Sequence, residues 1–235
     1  MTIIWLRSYP TFRHLSLIFD VSQTLVHDTV HEIWPILHQL FKGLIAWPSL
    51  QEWDMLRGNW PELVEAVGCI DVTSHRTNRP SENQVLFYSG HRHMHCVHTQ
   101  IVIDNTKKVL YLKSGFLGNN NDTTTFRLMD PIGPAEVLRF PQNSFLLGDT
   151  IYPSEHPLVT PFTRAQLDNM DNITREQNIR VNAKIRARRV YVEHAIRQIK
   201  VYQIIGSLYR HKRNHIAPIV ELCAALTFRR NILHC

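Results

Sequence analysis

The apolar and polar positions between residues 8 and 41 alternate with the period of helices. Phe12, Leu15 and Phe19 recur at i, i+3 and i+7, which places them on one helical face. The pattern then breaks, and Ser22 is a residue type that caps helix N-termini. Two short helices joined by a tight turn are typical of a helix-turn-helix, although an ordinary helical hairpin gives the same pattern.

The second of these helices has an apolar face and a polar face. Val26, Val30 and Ile33 form the apolar face, and Asp28 on the polar face would repel phosphate. We interpret residues 1–48 as a helix-turn-helix-like helical region. Its candidates for DNA contact are Gln23, Thr24, His27 and His31.

From Val67 onward, short apolar runs separated by turn-forming residues predict strands. Helical periodicity returns later, with a capping box at Thr174 and Gln177 opening a long helix that Gly206 ends. A Pro-containing stretch at 45–53 is interpreted as a linker. This order of elements predicts a mixed α/β domain after an all-α region. The strands are expected at 67–73, 96–104, 109–115, 144–149 and 157–162, and the helices at 123–129, 174–205 and 214–231.

Composition allows one good core, with 235 residues that are 44% hydrophobic. Lys and Arg number 26 against 20 acidic residues, a mildly basic balance that suits a polyanionic partner. The four cysteines are scattered, which indicates free thiols in a reducing compartment. No apolar stretch approaches the ~20 residues of a membrane-spanning helix. We therefore expect an intracellular protein without a membrane partner, and the abrupt apolar start indicates missing upstream residues.

Three acidic residues stand where a metal site can be built. Asp71 lies near the end of the first predicted strand, Asp149 ends the fourth, and Glu193 lies within the long helix. A helix packed on a sheet can bring such residues together, and carboxylate oxygens suit a hard divalent cation. Two such ions can activate a nucleophile and stabilise the leaving oxygen in phosphodiester cleavage. Each acid also has a structural alternative: Glu193 has Arg189 and Arg197 four residues to either side.

Five ordered sequence blocks resemble those of PIF/Harbinger-type DDE transposases. They are CIDVTSHR, YSGHRHMHCVHTQIVID, SGFLGNNNDTTTF, LLGDTIYP and NAKIRARRVYVEHAIRQIK, and the likeness runs from about residue 8 to 230. The resemblance implies an RNase H-like DDE endonuclease domain over 62–232, a mixed sheet flanked by helices and preceded by the helix-turn-helix. It also implies divalent-metal DNA cleavage and strand transfer, with Asp71, Asp149 and Glu193 as the catalytic and metal-binding triad.

The likeness has departures. Where the family's first block reads Asp-Gly-Thr-His, this chain has Asp71-Val72-Thr73-Ser74-His75, which makes His75 an accessory candidate. A family Gly-Ser-x-His-Asp segment stands here as GNNND, which ends in Asp122. Asp122 is therefore either an accessory acid near the site or the cap of the helix that follows.

Histidines cluster in the stretch GHRHMHCVH, where His91, His93, His95 and His98 surround Cys96. A zinc site is one interpretation. Strand alternation places His98 on the opposite face from the other three, which makes one tetrahedral site awkward. The alternatives are a polar strand that faces DNA and ordinary packing.

Basic residues surround Glu193 on the long helix. Runs of this kind are usually the solvated face of a helix. Beside a phosphodiester site they can instead hold the DNA backbone, which gives affinity and salt dependence without sequence readout. The candidates are Lys184, Arg186, Arg188, Arg189, Arg197 and Lys200.

The sequence thus leads to a Mg²⁺- or Mn²⁺-dependent DNA endonuclease or transposase, with two ions and a metal-bound water as nucleophile. The alternative is a domesticated or truncated derivative that binds DNA or protein without cutting. A helix-turn-helix regulator with an α/β ligand domain would leave the three acids unexplained. DNA is the expected partner, a separate DNA-binding protein and self-association are further candidates, and the location is nuclear if the host is eukaryotic.

Overall fold

The computed structural model describes residues 1–132 and 138–232 of the chain. Within this part of the chain, helices form the N-terminal region and then flank a central six-stranded mixed sheet. The prediction of a mixed α/β domain preceded by an all-α helix-turn-helix region is confirmed.

The N-terminal region contains helices α1 (Thr2–Ser8), α2 (Phe12–Phe19) and α3 (Gln23–Phe41). Asp20 ends α2 in the left-handed conformation, at φ 49°. The Ser22 hydroxyl accepts a hydrogen bond from the Leu25 N–H at 3.1 Å and so caps α3. The predicted pair of helices is therefore confirmed as α2 and α3, whereas α1 was not anticipated.

The segment predicted as a linker contains a short helix, α4 (Leu50–Asp54). The Glu52 carboxylate accepts a hydrogen bond from the Ser49 N–H at 2.8 Å, and the Ser49 hydroxyl accepts one from the Glu52 N–H at 3.3 Å. This is a complete capping box. Trp53 on α4 is fully buried. The linker prediction is wrong here, because local capping and burial of one large side chain are enough to order the segment.

The sheet is built around its longest strands, β1 and β3. β1, β3 and β4 pair antiparallel, whereas β5 runs parallel to β1, and β6 runs parallel to β5. The order β4–β3–β1–β5–β6 is consistent with the RNase H-like arrangement that the resemblance implies. Each predicted strand is present, and the short β2 beside β3 was not anticipated. The strands are β1 (Ala66–Arg76), β2 (Tyr88–Ser89), β3 (Met94–Asp104), β4 (Val109–Leu117), β5 (Phe145–Leu147) and β6 (Leu158–Val159).

Gly68 allows β1 to approach both of its neighbours closely. It pairs with Asp104 in β3 and with Leu146 in β5. A Cβ at this position would collide with the carbonyl oxygen of Ile103 and press on the Leu146 side chain. Because Gly68 has no side chain, β1 can pair closely with both neighbouring strands. This pairing sets the positions of the residues that follow in β1 and β5.

The longest helix begins and ends earlier than predicted. The Asp171 carboxylate caps it by accepting a hydrogen bond from the Thr174 N–H at 3.0 Å, so the predicted capping box of Thr174 and Gln177 is wrong. The helix ends at Lys200, and a separate turn carries Gly206. The helices after α4 are α5 (Gln84–Phe87), α6 (Asp122–Arg127), α7 (Arg164–Asp168), α8 (Asn172–Lys200), α9 (Gln203–Gly206) and α10 (Ile216–Ile232).

The sheet has a hydrophobic core on each face. One core joins the N-terminal helices to α8, α9 and α10 and includes Trp5, Val30, Ile199 and Ile219. The other core includes Trp53, Ile70, Val102, Phe126 and Phe140. The first core makes the N-terminal helices part of one packed body with the sheet.

The described cysteines are buried free thiols, as their scattered spacing predicts. They are Cys69, Cys96 and Cys223. Cys235 lies outside the described residues.

Candidate active site

Asp71 and Asp149 are brought together by the parallel pairing of β1 and β5. Cys69 lies opposite Leu147 in this pairing, and each acid follows two residues later along the chain. Each carboxylate accepts a hydrogen bond from the backbone N–H of the next residue, at 2.8 Å for Asp71 and 2.7 Å for Asp149. Both side chains line the same cleft.

Helix α8 carries Glu193 to this cleft. The helix packs on β1, where the Cys69 thiol donates to the carbonyl oxygen of Arg188 at 3.5 Å. Arg197 lies 3.8 Å from the Glu193 carboxylate, so the helical ion pair considered for this acid is present. Both side chains of the pair are substantially exposed, and such a pair contributes little to stability.

A fourth carboxylate, that of Asp122, lines the same cleft of about 440 Å³. Asp122 is the first residue of α6, but the cap of that helix is Asn121. The Asn121 side-chain oxygen accepts a hydrogen bond from the Thr124 N–H at 2.7 Å. The Asp122 carboxylate is therefore not needed as a cap and stands with the triad candidates.

The cleft concentrates negative charge. Burial raises the pKa of Asp71 to about 6; the Arg189 guanidinium opposes this shift, and the neighbouring Asp122 and Asp149 add to it. Burial also raises the pKa of Asp122, again with Asp149 adding to the effect. A cation placed among these carboxyl groups would oppose both the effect of burial and their mutual repulsion, and so stabilise their ionised forms.

Arg189 supplies positive charge inside the cleft. Its Nη1 lies 3.5 Å from Asp149 Oδ1, and its side chain is only 12% exposed. Its Nε is buried and has no hydrogen-bond partner within residues 1–132 and 138–232. The sequence places Arg189 one turn from Glu193, yet among the described residues it pairs with Asp149.

Two buried side chains support β1 beneath the cleft. Gln100 donates from Nε2 to the carbonyl oxygen of Asp71 at 2.8 Å and to the Tyr152 hydroxyl at 3.2 Å. Neither residue was anticipated. A signal for Gln100 was available, because this amide directly precedes the apolar run Ile101-Val102-Ile103 in a predicted strand, and it is fully buried.

The donor chemistry of the cleft fits a hard divalent cation, since four carboxylates converge on it. Throughout residues 1–132 and 138–232, however, no three His, Cys, Asp or Glu side chains lie close enough to hold one ion. In the described part of the chain the carboxylates thus line one cleft without forming a closed metal-binding group, and Asp149 is paired with Arg189.

The clustered histidines of the sequence occupy separate environments. The His98 ring bonds to the Ser74 hydroxyl at 2.9 Å and to the Gly118 carbonyl oxygen at 3.0 Å, so both of its nitrogens are engaged. The His95 ring packs edge-on against Tyr88, with the centroids 5.2 Å apart. Over the described parts of the chain, these residues form no metal-binding group of the zinc type.

His75, the accessory candidate from the first block, is fully buried and does not line the cleft. Its Nδ1 bonds to the carbonyl oxygen of Ile205 at 3.0 Å. Burial lowers the pKa of His75 to about 4. The structure therefore places this side chain between β1 and α9.

Most of the basic candidates on α8 are engaged within the protein. Arg188 pairs with Glu62, and its guanidinium lies 5.4 Å from the Trp60 ring centroid. Lys200 donates from Nζ to the carbonyl oxygen of Ser74 at 3.1 Å. Arg189 and Arg197 pair with acids of the cleft, as described above. The exposed basic candidates are Lys184, Arg186 and Arg197, of which Arg197 is paired with Glu193.

The candidates on α3 are also divided. Gln23 and Thr24 are exposed at the start of the helix. The rings of His27 and His31 stack with centroids 4.1 Å apart, and His31 faces His211 of the C-terminal segment at 6.3 Å. Part of the face predicted for DNA contact therefore packs within the protein.

Two family models match the chain. The model described as DDE superfamily endonuclease matches residues 70–227, more than half of the sequence. The chain belongs to the DDE superfamily of endonucleases. The model described as helix-turn-helix of DDE superfamily endonuclease matches residues 1–43. Family membership supports a DNA-cleaving transposase function, and the two matched regions indicate that this DDE endonuclease binds DNA.

A curated relative of the DDE endonuclease comes from Microchaete diplosiphon and is described as a probable transposase for insertion sequence element IS702. It is 28% identical over 231 residues, which cover 96% of this chain and 77% of the relative. No solved structure shows a significant match. DDE superfamily endonucleases generally use divalent metal ions. In the described residues of this chain, no helix is long and apolar enough to cross a membrane.

Proposed function

We propose that this DDE endonuclease cleaves DNA phosphodiester bonds for transposition, with Asp71, Asp149 and Glu193 as its metal-binding triad. The observation that carries the proposal is the convergence of these acids on one cleft from β1, the end of β5, and α8. Asp122 joins them as an accessory acid.

Mg²⁺ or Mn²⁺, as two ions held by these carboxylates, would supply the Lewis acidity for attack of water on the phosphodiester. The protein itself sets the charge of the site. Burial raises the pKa of Asp71 to about 6, so this carboxylate adds its charge to the cleft as the pH rises to neutral. Arg189 balances the charge of Asp149 until a cation replaces it, and Gln100 donates a hydrogen bond to the backbone of Asp71.

DNA would reach the cleft over surfaces that carry exposed polar and basic side chains. We assign Gln23 and Thr24 on α3 and Lys184 and Arg186 on α8 to this contact, because they are exposed. Lys184 and Arg186 would contact phosphates and so contribute affinity without sequence selection.

Finer assignments follow from the five ordered sequence blocks. Within the superfamily we propose a PIF/Harbinger-type enzyme, with a helix-turn-helix region over 1–48 and the endonuclease domain over 62–232. We also propose that the enzyme acts with a separate DNA-binding protein and associates with itself. An intracellular location, nuclear in a eukaryotic host, is part of the same proposal.

The test is nicking of supercoiled plasmid in Mn²⁺, Mg²⁺ or EDTA by the wild type and by Asp149→Ala. Asp130→Ala is the matched control, because Asp130 is an exposed acid whose partner is Lys113, away from the cleft. We expect metal-dependent nicking that Asp149→Ala abolishes and Asp130→Ala retains. Absence of nicking by a folded wild type that still binds DNA would instead identify a non-cleaving DNA-binding derivative.

A further inference from the structure

Part of the lining of the cleft comes from β2 and the turn between β2 and β3. Ser89 of β2 and His91 and Arg92 of the turn line the cleft, while Asp71 and Glu193 line it from the sheet and α8. The turn therefore adds the basic side chain of Arg92 to a mainly acidic cleft.

The turn is held in shape by its own contacts. The Arg92 N–H donates to the Ser89 hydroxyl at 3.3 Å, and His93 adopts the left-handed conformation, at φ 50°. The Tyr88 and His95 rings pack across the hairpin below it. The turn thus has a defined conformation that presents Arg92 to the cleft.

The base of the turn is fixed to the body of the domain. Gly118, at the end of β4, lies so close to the carbonyl oxygens of Phe87 and Cys96 that a Cβ would collide with both. The Arg213 guanidinium stacks on the Phe87 ring, 4.1 Å from its centroid. Arg92 consequently stands on a rigid support.

The Arg92 side chain differs from the other arginines around the cleft. Arg189 and Arg197 are paired with Asp149 and Glu193. The Arg92 guanidinium is exposed and, among the described residues, forms no hydrogen bond or ion pair. Its positive charge nevertheless lowers the pKa of Asp122 and so opposes the rise that burial causes. An unpaired guanidinium beside four carboxylates is a ready ligand for an anion that must enter an acidic cleft.

We propose that Arg92 binds a phosphate of the DNA backbone next to the bond that is cut. This inference rests on the proposed function. The planar guanidinium would donate two parallel hydrogen bonds to the phosphate oxygens. Its positive charge would attract the DNA strand, whereas the carboxylates of the cleft repel it. Arg92 is thereby assigned to substrate binding.

The test is the salt dependence of binding to a fluorescein-labelled DNA duplex of arbitrary sequence, read by fluorescence anisotropy in EDTA. Loss of one phosphate contact lowers the slope of log affinity against log salt by about 0.9, which corresponds to roughly eightfold weaker binding at ~0.1 M salt. We expect this change in Arg92→Gln and a largely retained slope in Arg92→Lys. The control is Arg79→Gln, because Arg79 is an exposed arginine that precedes the turn, bonds to Gln84 and does not line the cleft.

A slope in Arg92→Gln equal to that of the wild type would overturn the assignment, and so would an equal loss in Arg79→Gln. A fall in thermal stability without a change in slope would show a purely structural role and would overturn it as well. Plasmid nicking separates this failure from failure of the proposed function. A wild type that nicks DNA while Arg92→Gln keeps its slope refutes only the role of Arg92. A wild type that neither binds nor nicks refutes the function itself.

Discussion

Substitution of Arg189 by Gln removes one positive charge from the cleft and keeps a polar side chain of similar shape. The guanidinium lies 3.5 Å from the Asp149 carboxylate. Two unit charges at this separation attract each other by about 5 kcal/mol at an effective dielectric constant of ~20. The Asp149 side chain is 43% exposed, so solvent screening reduces the contribution to roughly 1–2 kcal/mol.

A divalent cation that binds in the cleft must take Asp149 from Arg189 and tolerate the remaining guanidinium charge. Removal of that charge is therefore expected to raise the affinity for Mn²⁺ about tenfold, since ~1.4 kcal/mol corresponds to a factor of ten. The measurement is isothermal titration calorimetry with MnCl₂ and no DNA. It is made at a pH well above 6, where Asp71 is ionised.

The matched control is Arg188→Gln. Arg188 is the adjacent residue of α8 and pairs with Glu62 outside the cleft, so its loss should leave Mn²⁺ binding unchanged. Weaker Mn²⁺ binding by Arg189→Gln would refute the reasoning. It would show that Arg189 holds Asp149 in place for the metal and does not compete with it.

Three further outcomes can be checked by equilibrium unfolding. Burial lowers the pKa of His75 to about 4. The contribution of the neutral imidazole to the free energy of unfolding is therefore complete above the ordinary pKa of ~6.5 and is lost as the pH falls towards 4. The loss from His75 reaches roughly 2 kcal/mol at ~pH 5, but Asp71, with its pKa raised to about 6, offsets more than half of it at that pH. The full loss is therefore expected as a lower denaturation midpoint in urea when Asp71 is replaced by Asn, and an unchanged midpoint in that variant would refute it. Gly68→Ala should cost about 3 kcal/mol, because the new Cβ meets the Ile103 backbone; an unchanged urea midpoint would exclude the close packing described for β1. Asn121→Ala should cost about 1 kcal/mol through loss of the α6 cap, and Asn121→Ser should recover most of it in the same titration.

The regular part of the fold was predictable because its signals are local. Apolar runs gave the positions of β1, β3, β4 and β5, and Ser22 marked the start of α3. Asp149 follows the end of β5, as predicted from the same signals. The prediction that Asp71 lies near the end of its strand is wrong, because the pairing with β3 continues to Arg76 and leaves Asp71 in the middle of β1.

Contacts between distant segments were not predictable from these signals. Glu193 lies one helical turn from Arg189 on α8. The Arg189 side chain nevertheless pairs with Asp149, which follows the end of β5. The support of Asp71 by Gln100 likewise depends on the register of β1 against β3.

The packing of the N-terminal helices has a consequence for where DNA would be cut. Trp5, Leu15 and Val30 share one core with Ile219 of α10, and Arg210 bonds to the carbonyl oxygen of Tyr9 at 2.7 Å. Helix α3, packed in this way, cannot move independently of the cleft. In an enzyme that works as proposed, the distance between the DNA bound by α3 and the bond cut in the cleft is therefore fixed. The number of base pairs between the bound sequence and the cut would then be the same at every site.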